Sequence, residues 1–385
     1  MLDFASDNHA PVHPEVMDAV VAANDGSVPA YGGDPVTARL EARVRDVLGP
    51  GATVFPVLNG TGANVISLMA AAPRWGGVVL SDVAHANTDE NGAPERVGGL
   101  KLLTRSSTDG RITVDDVAAW AGDRGNPHRA QPAVLSLTQS TELGTVYAPE
   151  DLKALVAAAH ELGMLVHLDG SRLANAAAFL GTGLRELTTD AGVDLLSFGA
   201  AKNGGMIGEA VVVLDAVRPD GDAAADATAG TATLAPAHPL ATGGPAGGLA
   251  AAVPYLRKQT MQLASKTRFV SAQLLALLGE PGSGADPLWL RNARHSNAMA
   301  ARLRAGVEAL PGGVVRVVHP TEANVVFASL PRQAAAVVRE QARFHDWSAG
   351  ETPDRVVARW MCSWHTSEAD VDAFVAAVAR AAETG

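Results

Sequence analysis

The order of apolar and polar positions divides the chain into short apolar runs alternating with amphipathic stretches. Strand-length runs stand at 53–58 (TVFPVL), 76–80 (GGVVL), 101–103 (KLL), 133–138 (AVLSLT), 164–168 (MLVHL), 193–198 (VDLLSF) and 209–214 (EAVVVL). Helical spacing fills the gaps. One helix is predicted over 14–24 with Pro14 near its start, and a second over 36–48 with Val36, Leu40, Val44 and Leu48 on one face. A third follows the strand at 53–58 as VISLMAAA, and a fourth opens at Pro149 and stops at Gly163. Alternation at this rhythm predicts an α/β fold, with a mostly parallel central sheet covered by helices on both faces.

After residue 214 the pattern changes. Residues 221–250 are Ala, Gly or Pro at twenty of thirty positions, too little side chain to offset the entropy of ordering them. We therefore expect a low-complexity, disordered surface insertion over about 217–252, without a role in the chemistry. A long basic helix is predicted over 254–278, then a Gly-rich stretch and a helix over about 288–310. The chain ends as a small α+β unit: strand ANVVFASL, helix RQAAAVVREQ, strand RVVARWMCSW and a helix over 368–383 capped by Ser367 and Asp370. The expected division is a large domain with the N-terminal segment over 1–278, and a small C-terminal domain over 279–385.

Composition narrows the function. The chain has 385 residues, a net charge of −11 and one cysteine, Cys362. An acidic chain lacks the basic face that nucleic acid or an anionic membrane requires, so the expected partner is a small molecule. A single cysteine allows no intrachain disulfide and suits a reducing compartment. The first residues carry neither a basic region nor an apolar core, and no apolar run reaches the ~18 residues of a membrane span. These points predict a cytoplasmic protein.

The candidate chemistry centres on two strand ends. Asp169 follows the run at 164–168, and Lys202 follows the run at 193–198 through Gly-Ala-Ala. Ligands of open α/β sheets sit at such carboxyl ends. A lysine there can form a Schiff base with an aldehyde cofactor, while a buried aspartate holds a pyridine nitrogen protonated. That is the protein's share of pyridoxal-phosphate chemistry. Alone, Asp169 reads equally as a turn cap and Lys202 as a surface residue; their pairing makes the case. The turn Asn59-Gly60-Thr61-Gly62-Ala63-Asn64, between a strand and an apolar helix, is a phosphate site or a plain tight turn. His85 can stack on a cofactor or carry protons. Glu142, in a loop after a strand, is an acid/base candidate or a solvated charge. Arg172 and Arg359 can each grip a carboxylate with two N–H groups. Ser6 has no reading from the residues alone.

The segments FASDNHAPVHPEV, PAYGGDP, VLNGTGAN, AHANTDE, VHLDGSRLANA, SFGAAKNGG and RWMCSW, spread over nearly the whole chain, together resemble the low-specificity L-threonine aldolases. That resemblance implies the aspartate-aminotransferase fold and pyridoxal 5'-phosphate as cofactor. It implies Lys202 as the cofactor-linking lysine and Asp169 at the pyridine nitrogen. Gly60, Thr61 and Gly62 would surround the phosphate, with His85 over the ring. Ser6, Arg172 and Arg359 would hold the substrate carboxylate, and Tyr31 would enter from a neighbouring subunit of a homodimer or homotetramer. The implied reaction cleaves threonine, allo-threonine or phenylserine to glycine and an aldehyde. Two departures stand out: QSTELG, with Glu142, replaces a loop that carries a histidine in many members, and Lys266 and Arg268 stand where a glycine-rich turn with an arginine is usual. Other readings of the chain are another lyase or aminotransferase on this scaffold, or a non-catalytic cofactor-binding regulator. A dinucleotide oxidoreductase lacks its glycine fingerprint here.

Overall fold

The computed structural model describes residues 1–214, 248–280 and 284–384. Its elements follow the predicted rhythm. The first half runs β1 (Leu2–Asp3), α1 (Pro14–Ala22), α2 (Pro35–Leu48), β2 (Thr53–Val57), α3 (Gly60–Ala71), β3 (Gly76–Ser81), α4 (His85–Thr88), α5 (Ala93–Arg96) and β4 (Lys101–Arg105). Next come α6 (Val114–Ala118), β5 (Gln131–Thr138), α7 (Pro149–Glu161), β6 (Leu165–Gly170), α8 (Leu173–Leu180), β7 (Leu195–Gly199) and β8 (Glu209–Val213). The rest comprises α9 (Gly248–Gln259), α10 (Arg268–Leu278), α11 (Leu288–Glu308), β9 (Arg316–Val317), β10 (Val325–Pro331), α12 (Arg332–Arg339), β11 (Ala342–Arg343), β12 (His345–Ala349), β13 (Arg355–Met361) and α13 (Glu368–Thr384).

The large sheet has seven strands in the order β2-β8-β7-β6-β5-β3-β4. It is parallel except for β8, which runs antiparallel to both β2 and β7. Strand β6 is central and pairs with β5 and β7. Its apolar residues reach both sides because both sides are covered. Leu135, Leu137, Val166, Leu168, Leu196 and Phe198 join one core with α2, α7, α8 and α10. Val78, Leu80, Val134, Leu195 and Val211 join another with α3 and α9. His167 and Asp169, two residues apart on β6, share one face of the sheet, and Asn64 of α3 hydrogen-bonds Asp169 there.

The small unit is an antiparallel sheet in the order β12-β13-β10-β9, backed by α11, α12 and α13. Phe374 is its hub. Its ring lies 4.3 Å from that of Phe4 and 5.2 Å, edge-on, from that of Trp360. Strand β1 pairs with β11, so the first residues of the chain pack with the last unit. Helix α11 serves both cores: Leu288, Trp289 and Ala293 face the large one, Met299, Leu303 and Val307 the small one. The expected division after 278 falls just before this helix, and residues of the first segment, Leu2 and Phe4, join the small core.

Two predictions are corrected. The helix expected over 254–278 is two helices, α9 and α10, separated by residues 260–267. The chain turns at Met261, whose φ is +63°. The turn puts Gln262 against the start of α3, where its Oε1 accepts from Leu58 N at 3.0 Å. Helix α9 also begins at Gly248, so the C-terminal end of the expected insertion is helical; its remainder from 217 to 247 lies outside the described residues. Strand β12 had no sequence signal, because HDWSA carries mostly exposed residues.

Phe374→Ala should cost about 3–5 kcal/mol of unfolding free energy, as for other large-to-small changes in tight cores. Urea unfolding of the variant measures it, and a loss below about 1 kcal/mol would contradict the hub role.

Candidate active site

Asp169 ends β6 with its carboxyl almost wholly out of solvent. A buried carboxylate needs partners, and it has them. Oδ1 accepts from Ser171 N at 2.9 Å, and Oδ2 from Asn64 Nδ2 at 2.9 Å. Burial opposes its ionisation, but Lys202 and these donors hold the carboxyl below its ordinary pKa. One layer beneath, His167 lies between Ser136 Oγ and Ser197 Oγ, both at 2.9 Å, and burial pushes its pKa down to about 4. A neutral imidazole is thus packed under an anionic carboxylate.

Lys202 stands on a one-turn 3-10 helix, residues 201–203, just past β7. Burial, with Arg172 adding to it, lowers the pKa of its amine. Gly204 behind it takes φ +100°, which a side chain would resist, and its carbonyl accepts from His13 N. Asn203 is fixed to α11 by exchange with Trp289 O and Asn292 Nδ2. Glu209, opposite Gly199 on β8, accepts from Ala200 N at 2.6 Å and from Ala201 N at 3.3 Å. Burial pushes its carboxyl up to about 7 although Lys202 pulls the other way.

The turn predicted as a phosphate site is the first turn of α3. Asn59 is its N-cap and accepts from Gly62 N at 2.8 Å. Gly60 and Thr61 keep N–H groups that have no acceptor within the helix, the arrangement that favours an anion. A Cβ at Gly62 would come within 2.2 Å of Gln262 Cδ, so a side chain there would have to displace the amide that accepts from Leu58 N.

His85 opens α4. Its N–H donates to Glu142 Oε1 at 2.7 Å, and its Nδ1 faces Glu90 Oε1 at 3.0 Å. The bond to Glu90 raises its pKa, while burial opposes the rise. Glu142 Oε1 also accepts from Thr138 Oγ1, whereas Oε2 is buried without a partner among the described residues. Burial and the charge of Asp169 push Glu142 up to about 7.

The two arginines differ in what they have left to offer. Arg172 gives Nε and Nη2 to Asp7, at 2.7 and 3.0 Å, in a buried ion pair that Asn324 Nδ2 joins at 3.1 Å. Its fork is therefore held by the protein itself. Among the described residues, Arg359 Nη2 donates to Ala5 O and its buried Nε has no partner, and its guanidinium lies over Trp347 at 5.5 Å. Ser6 Oγ accepts from Asn8 N at 3.2 Å, next to Asp7. Tyr31 is exposed, its ring 5.5 Å from Lys258 Nζ. Within one chain it does not join this cluster by any hydrogen bond among the described residues.

The beta-eliminating lyase family model matches residues 3–330, most of the chain. The chain belongs to the beta-eliminating lyase family. A low specificity L-threonine aldolase of a Pseudomonas strain is 38% identical over 96% of this chain and 94% of its own length. One from Pseudomonas aeruginosa is likewise 38% identical, over 94% and 93%. Among solved structures, a Leishmania major threonine aldolase superposes with a TM-score of 0.83 at 26% identity, covering 99% of this chain and all of the other. A Sphingomonas wittichii serine palmitoyltransferase, at TM-score 0.65 and 14% identity, shares the fold.

Four residues of this candidate site escaped the sequence reading: Asp7, Asn64, Glu90 and Glu209. Each lay inside a quoted motif or strand run, yet nothing about a single acid or amide in a strand or helix marks it as buried. The structure supplies that fact.

Glu209 makes a pH signature. A carboxyl whose folded pKa is above its unfolded value binds more protons folded than unfolded, so it destabilises as pH rises from about 4.5 to about 7. Glu209→Gln should match wild type most closely in urea unfolding near pH 4 and exceed it at pH 8, by up to ~3 kcal/mol. Equal differences at both pH values would refute the assignment.

Proposed function

We propose that the chain cleaves L-threonine, L-allo-threonine and related β-hydroxy-α-amino acids reversibly to glycine and an aldehyde, using pyridoxal 5'-phosphate. The observation that carries this is Lys202 facing an ionised, buried Asp169 across adjacent strand ends. Likeness at 38% identity over nearly the whole length of two low specificity L-threonine aldolases supports the substrate class.

The donor set fits the cofactor. Lys202 would offer an amine of lowered pKa to the aldehyde, the start of α3 would offer the N–H groups of Gly60 and Thr61 to the phosphate with Gly62 behind them, and His85 would stand beside the ring. Asp169, kept anionic, would hold the ring nitrogen protonated. Bound there, the cofactor supplies an electron sink conjugated to the substrate's Cα.

The remaining work falls to side chains. Arg359, whose Nε lacks a partner, takes the substrate carboxylate with Ser6 beside it. Arg172, anchored by Asp7, adds its charge from a fixed position. Fixing the carboxylate sets which bond at Cα is aligned for cleavage. His85 Nε2 and Glu142 Oε2 are the two candidate acceptors for the β-hydroxyl proton. Glu142, with its pKa near 7 and one oxygen unpartnered, can hold that proton near neutral pH. We further propose a homodimer or homotetramer in which Tyr31 reaches the neighbouring subunit's site. Among the described residues, no helix is long and apolar enough to cross a membrane.

Threonine, allo-threonine and phenylserine should each yield glycine in a coupled assay, and serine should yield little pyruvate. Conversion of threonine to 2-oxobutyrate without glycine would defeat the aldolase reading and leave a β-eliminase.

Asp169→Asn should retain the cofactor by its absorbance but lose at least ~10²-fold in kcat, since a neutral amide cannot sustain the protonated ring. Turnover near wild type would mean that another group protonates it.

A further inference from the structure

Outside the residues already given roles, one buried acid is wired to two of them. Glu90 follows α4 and its carboxyl is sealed from solvent. Its Oε1 accepts from Asn64 Nδ2 at 2.8 Å and faces His85 Nδ1 at 3.0 Å. The other hydrogen of Asn64 Nδ2 goes to Asp169 Oδ2 at 2.9 Å. One amide therefore bridges two carboxylates, and a continuous chain runs Asp169–Asn64–Glu90–His85. Among the described residues, Asn64 Oδ1 and Glu90 Oε2 are buried without partners, so the polar groups here are not merely satisfying one another.

We propose that Glu90 is a positioning residue that fixes the tautomer of His85. The argument is one of donor supply. A carboxylate oxygen only accepts, and Oε1 already accepts from Asn64. The contact with His85 is a hydrogen bond only when the proton is on Nδ1. Neutral His85 then carries its lone pair on Nε2, on the side of the ring away from Glu90. That is the form of the imidazole that can take a proton; with the opposite tautomer, Nε2 could only donate. The other titratable groups about His85 are Glu142, bound to its main-chain N–H, and Asp169 and Lys202, which act on it through charge alone. None of these three bonds a ring nitrogen, so the choice of tautomer rests with Glu90. The chain through Asn64 also means that the acid behind the cofactor ring and the histidine beside it share one rigid frame. The inference rests on the placement of His85 given under the proposed function, but not on its being the base.

The test is nitrogen-15 NMR of the imidazole in the cofactor-free full chain, with His85→Asn assigning the signal. Above its titration, wild-type His85 should carry its proton on Nδ1 and leave Nε2 bare. In Glu90→Leu no acceptor faces Nδ1, so the proton should move to Nε2, as in free imidazole, and the titration midpoint should fall. Glu90→Asp, which keeps the carboxylate, should restore the Nδ1–H form. In the loaded enzyme, Glu90→Leu should lower kcat for threonine at least ~10-fold while KM stays within about threefold, and move the acid limb of the rate profile to lower pH. An Nε2–H tautomer in the wild type would overturn the assignment even if no variant folds. So would an unchanged tautomer in Glu90→Leu. A reversed tautomer in Glu90→Leu together with full activity of His85→Asn would uphold Glu90 as the positioning residue and instead remove His85 from the list of bases.

Discussion

A charged carboxylate held out of water at the centre of a sheet is the constraint on which the site depends. Removing a carboxylate from solvent without partners costs several kcal/mol, and the ordinary response is to pick up a proton. Asp169 stays ionised because three different elements converge on it: its own strand end through Ser171 N, α3 through Asn64, and the turn after β7 through Lys202. Their convergence needs close approach between strand ends. A Cβ at Gly199 would come within 2.7 Å of the Ser171 backbone, and one at Gly170 within 2.9 Å of Ser197 O. The two glycines let β6 and β7 end side by side, and the acid and the lysine meet as a consequence.

The second dependence runs between the two units. Asp7 is wholly buried, yet it belongs to a segment anchored by β1 and Phe4 to the small sheet. Its partner Arg172 lies on the large domain just past Asp169, and Asn324 enters from the residue before β10. Breaking such a buried pair costs about 3–5 kcal/mol, so the small unit cannot shift without disturbing the arginine. Arg359, on β13, belongs to the same small sheet and is left with an unsatisfied Nε. One arginine is thus tied down by the junction, and the other is presented across it.

The central sheet was legible because β5, β6, β7 and β8 are apolar runs buried on both faces, and such runs have few other uses. Lys202 and Asp169 were legible for the same reason: a polar residue ending such a run sits at a strand's carboxyl end. The break between α9 and α10 was not legible. Its cause is a tertiary contact, Gln262 against Gly62 and Leu58, which leaves no periodic trace in PYLRKQTMQLASK. Likewise Glu209 begins the apolar run EAVVVL and reads as its solvated edge, but antiparallel pairing with β7 turns it under the lysine. Strand β12 failed for the opposite reason, since an exposed edge strand need not be apolar.

The charge inventory shows why two of these acids sit near neutrality. Five carboxyl groups, Asp7, Glu90, Glu142, Asp169 and Glu209, crowd around three cations, Lys202, Arg172 and Arg359. Asp7 and Asp169 are driven below their ordinary pKa because the cations and donors are committed to them. Glu142 and Glu209, left with main-chain N–H groups and, for Glu142, one hydroxyl, are pushed up to about 7. Burial is the larger cause of the rise in both, and the charge of ionised Asp169 adds to it. A phosphate and a substrate carboxylate would add further negative charge to the same volume and favour the protonated acids still more. Burial, reinforced by the charge of Asp169, therefore brings Glu142 and Glu209 to titrate close to neutral pH, the one bound to the main chain of His85 and the other to the main chain just before Lys202.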